Sequence, residues 1–376
     1  MTIKLTIKLA LAAFAALQPL GTLGFYRPAG EVGLLSTSQT VSIYSLPLFH
    51  PNDALTVHQK QGPLPDVNLT SSMLAGTGNP MNSVLYTSYL TAENGHEYFA
   101  IACHCTQGPT HLYTYVSLLD ITTSQYYGVN NFIEGIMPNE TFNLQGGDLA
   151  FSSSSSDIVS NMQVTSTVPN AGFNLSVQAQ GPGLYYAGSG IFYWGGGTNH
   201  QWASPLSRVS GTITVNNAEV SIIPDKSVTW MDRQWGTGVA YNGWNWFNVI
   251  LENGMTMGVW HSKPINGTTS FDSFATVQFP DGHQEVHQLD NDIHDANPWT
   301  SDVTNLTYYT EFELNIPTLE AVIRATVPVK GAGEMTVQGE PIPSRTLFEG
   351  FTVYSANIRG KCVKGYGLTE RLFQIA

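Results

Sequence analysis

Trp244-Asn-Trp-Phe-Asn-Val-Ile-Leu251-Glu-Asn253-Gly254-Met255-Thr-Met257-Gly-Val259 sets two apolar runs on either side of an Asn-Gly pair. Asn-Gly is the preferred pair for a type I′ hairpin turn, so the stretch predicts two antiparallel strands. The same grammar recurs outward from it. Between Thr212 and Ile222, Ile213 and Val215 alternate with threonines, Asn216-Asn217 turns the chain, and Val220 and Ile222 resume the pattern. A third hairpin is expected at Asp281-Gly282, between Val277-Gln278-Phe279 and Val286.

No long segment keeps a helical period with caps at both ends, so the chain reads as all-β. Closed barrels leave no exposed strand edges, which favours them over open sheets. The 376 residues suffice for two cores. Gly238 and the Tyr241-Asn242-Gly243 turn separate two strand-rich halves, predicting domains over 25–236 and 237–376. The run Ser152 to Ser156 reads as a loop, and no fixed repeat points to a propeller or solenoid.

Lys4 and Lys8 precede an apolar run, Leu9 to Leu17, followed by Pro19 and small residues. This is the layout of a secretory signal peptide, expected over residues 1–24. The sequons at Asn68, Asn139, Asn174, Asn266 and Asn305 are glycosylation candidates on the same route. No other apolar stretch is long enough for a membrane anchor. Charged residues are only 11% and the net charge is -13, so a nucleic-acid partner would be repelled.

Cys103 and Cys105 would share one strand face, too close in sequence to bridge without distortion. A bond from either to Cys362 would tie the two ends of the chain together, and a metal site through His104 is disfavoured. There is no Gly-x-Ser-x-Gly elbow, His-Glu-x-x-His helix, Walker loop or aspartic-protease triplet.

Other residues point to acid chemistry beside aromatic faces. In Trp230-Met231-Asp232-Arg233-Gln234-Trp235-Gly236, a strand puts Trp230, Asp232 and Gln234 on one face and Met231, Arg233 and Trp235 on the other. Burial beside Trp230 would raise the Asp232 pKa and suit it to deliver a proton near neutral pH. The competing reading has Asp232 and Arg233 making structural bonds at the domain junction. In Gly365-Tyr366-Gly-Leu-Thr-Glu370-Arg371, Tyr366 and Glu370 share a face. Glu370 there would pair with Arg233, act as a base, or merely sit in a barrel-closing strand.

Tyr186, Gly188, Gly190, Phe192 and Trp194 would line one face if extended, with the glycines leaving room for a ligand or bending the strand. His283, Glu285 and His287 would share a face but read better as a solvated edge. Glu311 and Glu313 form a carboxylate pair of the kind a glycosidase uses.

The stretches Arg208 to Val215, Ser227 to Gly236, the Tyr185-Tyr186 glycine segment and Gly365 to Glu370 together resemble the fungal kievitone hydratase-like proteins, within the wider CrtC-like lipocalin-type group. The resemblance implies two lipocalin-like β-barrels, a hydrophobic small-molecule substrate and no cofactor. It implies addition or removal of water at prenyl or polyene double bonds. Secreted hetero-Diels-Alderases of tropolone sesquiterpenoid pathways, which dehydrate an alcohol to a quinone methide, belong to the same circle.

The expected roles follow from residues and resemblance together. Asp232 is the acid, and Arg233 or Glu370 the polariser or pKa partner. Trp194, Trp230, Trp235, Trp244 and Trp246, with Tyr186 and Tyr366, are candidates for the substrate wall. Alternation forbids all the tryptophans from facing one cavity. The rivals are a lipocalin-like carrier and a glycosidase. Oligomeric state is left open.

Overall fold

The computed structural model describes residues 69–74, 81–107, 111–134, 143–180, 182–240, 243–262, 273–290, 293–337 and 346–372. The signal-peptide expectation, Tyr241-Asn242 and the sequons at Asn68, Asn139 and Asn266 lie outside them. Asn174 and Asn305 are exposed.

Alternation of apolar and polar residues produces two antiparallel sheets, of 13 and 10 strands. In the first, Met81–Thr91 lies between Glu97–Gln107 and the much later Val228–Gly236. In the second, Trp244–Leu251 lies between Thr256–Ser262 and the C-terminal Lys361–Leu372. Each sheet thus joins its first strand to its last and curls around its own interior as a half-barrel, in line with the all-β, two-barrel architecture expected from the sequence. Gly236 ends the first sheet and Trp244 begins the second.

Val84, Tyr86, Phe151, Leu175, Trp202, Ile213 and Met231 fill the first interior. The short helix Leu69–Leu74 adds Leu69 and Met73 to it, and Trp202 Nε1 donates to Ser72 Oγ at 2.8 Å. Phe247, Val249, Met257, Leu314 and Ile323 fill the second. Period-two alternation sends the intervening side chains out of both interiors and toward one another. Leu85, Tyr89 and Trp230 of the first sheet meet Trp246, Ile250, Trp260, Phe351 and Leu368 of the second in a third buried layer.

The hairpins form where expected, but their turns differ. Asn216 and Asn217 are both left-handed, with φ of 51° and 62°, as a type I′ turn requires. At Asn253-Gly254 only the glycine is, with φ of 84°. Gly254 N–H bonds Leu251 O, and Leu251 N–H bonds Met255 O, each at 2.9 Å. This is a three-residue loop ending in a left-handed glycine rather than type I′. The extra residue lets Glu252 N–H reach Lys364 O on the neighbouring strand at 2.9 Å. The Asp281-Gly282 turn repeats this geometry.

All three cysteines are free thiols. Cys103 and Cys105 share a buried face with Sγ atoms 3.2 Å apart. Cys362 is exposed on the second sheet, so the bond tying the chain ends is not formed.

His104 points the other way, into the first interior, with its ring edge-on to Phe151 at 4.5 Å. Burial pushes its pKa down to about 4. The folded state therefore resists protonation that the unfolded chain accepts, and stability is lost as pH falls from the ordinary histidine value toward about 4. His104→Leu is expected to melt progressively higher than the parent across that window. The melting-temperature difference, followed against pH, checks this; a difference that does not vary with pH would refute it.

Candidate active site

Asp232 sits in the middle of Val228–Gly236 and points into the layer between the sheets, 4% exposed. Tyr186 Oη donates to Asp232 Oδ2 at 2.9 Å and Trp230 Nε1 donates to the same oxygen at 3.4 Å. Gln201 Nε2 donates to Oδ1 at 2.8 Å, and Gln201 Oε1 in turn accepts from Trp260 Nε1 at 2.8 Å. The second sheet thus orients the amide that holds the carboxyl of the first. Burial, opposed by these hydrogen bonds, raises the Asp232 pKa to about 6. A carboxyl titrating there is part-protonated near neutral pH and can donate.

Tyr186 owes its position to a glycine. A Cβ on Gly258, in Thr256–Ser262, would meet the Tyr186 ring at 2.4 Å, so the ring lies directly on the opposing backbone. Gly258→Ala is expected to push Tyr186 off Asp232. With the acceptor left and a donor lost, the carboxyl pKa should rise above about 6. Carboxyl chemical shifts followed through a pH titration would measure the change, and an unmoved Asp232 would contradict it.

The aromatic wall holds Trp194, Trp230, Trp244, Trp246 and Trp260, with Tyr186 and Tyr366. Trp194 stands 5.0 Å from Trp244 and 4.8 Å from Trp260, centroid to centroid. Tyr366 packs on Tyr89 at 4.9 Å. The buried indole N–H of Trp194 finds no acceptor among the described residues.

Two expected members are absent from this layer. Arg233 and Trp235 follow the alternation to the opposite face. Arg233 donates to Ser72 O and Ser83 O, each at 3.0 Å, and to Gln234 O at 2.6 Å. Its guanidinium lies 4.9 Å from the Trp235 ring centre, and Trp235 stacks on His200. Arg233 therefore reaches Asp232 only through its field, which lowers the carboxyl pKa, and does not pair with Glu370. Trp235 is no part of the wall.

The glycine segment is also not one extended strand. Tyr186–Gly188 forms a 3-10 turn with Gly190 N–H bonded to Tyr186 O at 2.8 Å. Gly188 and Gly190 are left-handed, with φ of 78° and 73°, so they turn the chain instead of opening a ligand space. Tyr186, Phe192 and Trp194 still reach the layer from either side of the turn.

Glu370 faces the layer as expected, at its partly open edge, and its Oε1 accepts from Trp244 Nε1. Unexpected is Glu349, from Leu347–Ile358, which lies directly opposite Glu370 and is 1% exposed. Tyr115 Oη donates to Glu349 Oε1 at 2.9 Å. Gln201, Trp260 and Tyr115 were likewise missed. The available signal for Glu349 was its phase: it shares the strand face of Leu347 and Phe351, so a carboxyl falls on an apolar face.

The other constellations dissolve. His283 and His287 bond Glu285, with His283 also on Asp281 and His287 on Thr318. Glu311 and Glu313 lie on the outer side of Thr307–Ile316, where Glu313 pairs with Arg324 at 2.9 Å. Among the described residues, no group of three or more histidine, cysteine or acidic side chains could hold a metal ion.

Fold and site together define a class: two-barrel β proteins that bury carboxyl groups in an aromatic layer between their sheets. The chain belongs to the AttH-like family, which it matches over residues 119–370. It is 28% identical to kievitone hydratase of Fusarium solani subsp. phaseoli, covering 76% of this chain and 81% of that protein. It is 27% identical to dehydratase asqC of Emericella nidulans, covering 76% and 83%. The crystal structure of kievitone hydratase from Nectria haematococca superposes with a TM-score of 0.74 at 25% identity, over 83% of this chain and 93% of that one. An AttH candidate from Nitrosomonas europaea shares the fold, with a TM-score of 0.68 at 14% identity over 84% and 100%.

Proposed function

We propose that the protein is a hydro-lyase that removes water from a hydrophobic, aromatic alcohol. The observation that carries this reading is the Asp232 carboxyl, buried among indole faces with its pKa raised to about 6. The hydratase and dehydratase named among its relatives support the same class of reaction.

When Asp232 is protonated it donates to Tyr186 Oη, which frees the tyrosine hydrogen for the leaving hydroxyl. The C–O bond breaks, water departs, and the electron-poor carbon left behind faces the indole rings, whose negative faces stabilise it. The acid must hold its proton, so turnover should decline as pH rises through about 6. The finer reading is that the dehydrated product is a quinone methide, which then meets a cyclic terpene in the same water-poor layer for a hetero-Diels-Alder reaction. The apolar leader and the sequons support secretion through the glycosylating route.

Incubation of the purified protein with a hydroxylated tropolone and a cyclic terpene, followed by chiral chromatography and mass, tests the reading. Loss of one water supports dehydration, and one stereochemically defined adduct supports the cycloaddition. A water adduct on a prenylated phenol would instead favour the hydrating direction. Binding without conversion would indicate a carrier.

A further inference from the structure

Glu349 and Glu370 occupy directly paired positions on neighbouring strands and face the same side of the sheet. Two carboxylates so placed repel, and burial prevents water from relieving the repulsion. Among the described residues, the titratable groups facing them from the packed elements are Cys103 and Cys105, Tyr89, Tyr113 and Tyr115, Tyr126, Asp232 and Tyr186. Each of these becomes negative on ionisation, so none supplies a cation.

The hydrogen bonds distinguish the two carboxyls. Glu370 accepts from Trp244. Glu349 Oε1 accepts from Tyr115, but buried Glu349 Oε2 receives no hydrogen bond. An ionised oxygen there would be an orphaned acceptor, which burial away from solvent penalises. A protonated oxygen there is a donor, and the Glu370 carboxyl lies opposite to accept.

We propose that Glu349 is held as a neutral carboxylic acid whose Oε2 hydrogen is donated to Glu370, positioning Glu370 as the proton acceptor of the reaction. The role of Glu370 rests on the dehydration reading above; the proton on Glu349 does not. Burial pushes Glu349 well above the usual carboxyl range, while Glu370, helped by two donors, rises only to about 7.

The step balances. Asp232 supplies the proton that leaves with the hydroxyl as water. Glu370 takes a proton from the facing O–H or C–H bond of the substrate, and that bond's electron pair forms the new double bond. Asp232 is left ionised and Glu370 protonated. The proton returns through solvent at the edge where Glu370 is partly open. Glu349 touches no reacting atom in this scheme and acts through Glu370.

Infrared spectroscopy of the purified protein tests the proton directly. A neutral-carboxyl C=O band is expected to persist at about pH 8 in the parent and to vanish in Glu349→Gln, an isosteric change whose folding a thermal melt confirms. Absence of the band from the parent, or its survival in Glu349→Gln, overturns the proposal.

The pH profile on the hydroxylated tropolone tests the positioning. Glu349→Gln keeps a donor toward Glu370, so kcat should fall only about 3-fold, with the acidic limb still near about 7. Glu349→Leu removes the donor, so the limb should move up and kcat should fall about 100-fold at unchanged KM. Equal limbs in the two variants would overturn it. If the parent leaves the tropolone unchanged, the dehydration reading fails while the infrared band still decides the proton on Glu349.

Discussion

Asp232→Asn should bind a hydrophobic aromatic ligand as well as the parent does and convert it about 10²–10⁴-fold more slowly, the loss typical of a removed general acid. The amide occupies the same space, its oxygen still accepts from Gln201, and its nitrogen can donate to Tyr186 Oη, so the aromatic layer need not repack. What disappears is the proton. Tyr186→Phe should lose most of the activity as well, because the hydroxyl between Asp232 and the leaving oxygen is gone.

Stability should move in the opposite direction. The folded Asp232 pKa of about 6 lies above the unfolded value of 3.8, so the folded state binds the proton more tightly. The corresponding cost is absent below the unfolded value, grows as pH rises toward about 6, and is fully present above it. Asp232→Asn removes that cost and should raise stability above about pH 6 by about 1–3 kcal/mol. Fluorescence titration, single-turnover kinetics and denaturant melts on the same two proteins check all three expectations. A variant that stays active would dismiss the acid role. One that loses ligand binding as well would point to a structural carboxyl.

Much of this was written in local sequence. Hairpins announce themselves through short alternation and turn residues, so both sheets and the facing of Asp232 were accessible from a few residues at a time. The turn geometry at Asn253-Gly254 was not, because Lys364, more than a hundred residues away, receives the bond that favours the longer loop. The same limit hid the partners of the acid. Gln201 reaches Asp232 only after two strands distant in sequence pair in the first sheet, Trp260 reaches Gln201 only after the sheets pack, and Glu349 meets Glu370 only after two long strands find their register. The glycine segment failed differently. Alternation was assumed through Gly188 and Gly190, yet a left-handed turn resets the phase, and Tyr186 and Trp194 reach the layer by separate routes.

Arg233→Met should produce the largest loss of stability of any substitution considered, about 3–5 kcal/mol, with little effect on chemistry per folded molecule. The side chain is fully buried and ties the backbone of the Leu69–Leu74 helix, through Ser72 O, to Ser83 O in the first strand and Gln234 O in its neighbour. Methionine fills part of the volume but leaves those carbonyls without their donor, and the Trp235 face loses its cation. Arg233→Lys keeps a charge but cannot reproduce the planar fork that reaches several carbonyls at once, so about half the loss should remain. Because Arg233 lowers the Asp232 pKa through its field, removing it should shift the activity limb slightly above about 6 without abolishing turnover. Denaturant melts give the first quantity and pH profiles normalised to folded protein give the second. A stable, inactive Arg233→Met would return the guanidinium to the chemistry; an unstable but active one leaves it as the bond that seats the helix on the first barrel and holds the strand from which Asp232 projects.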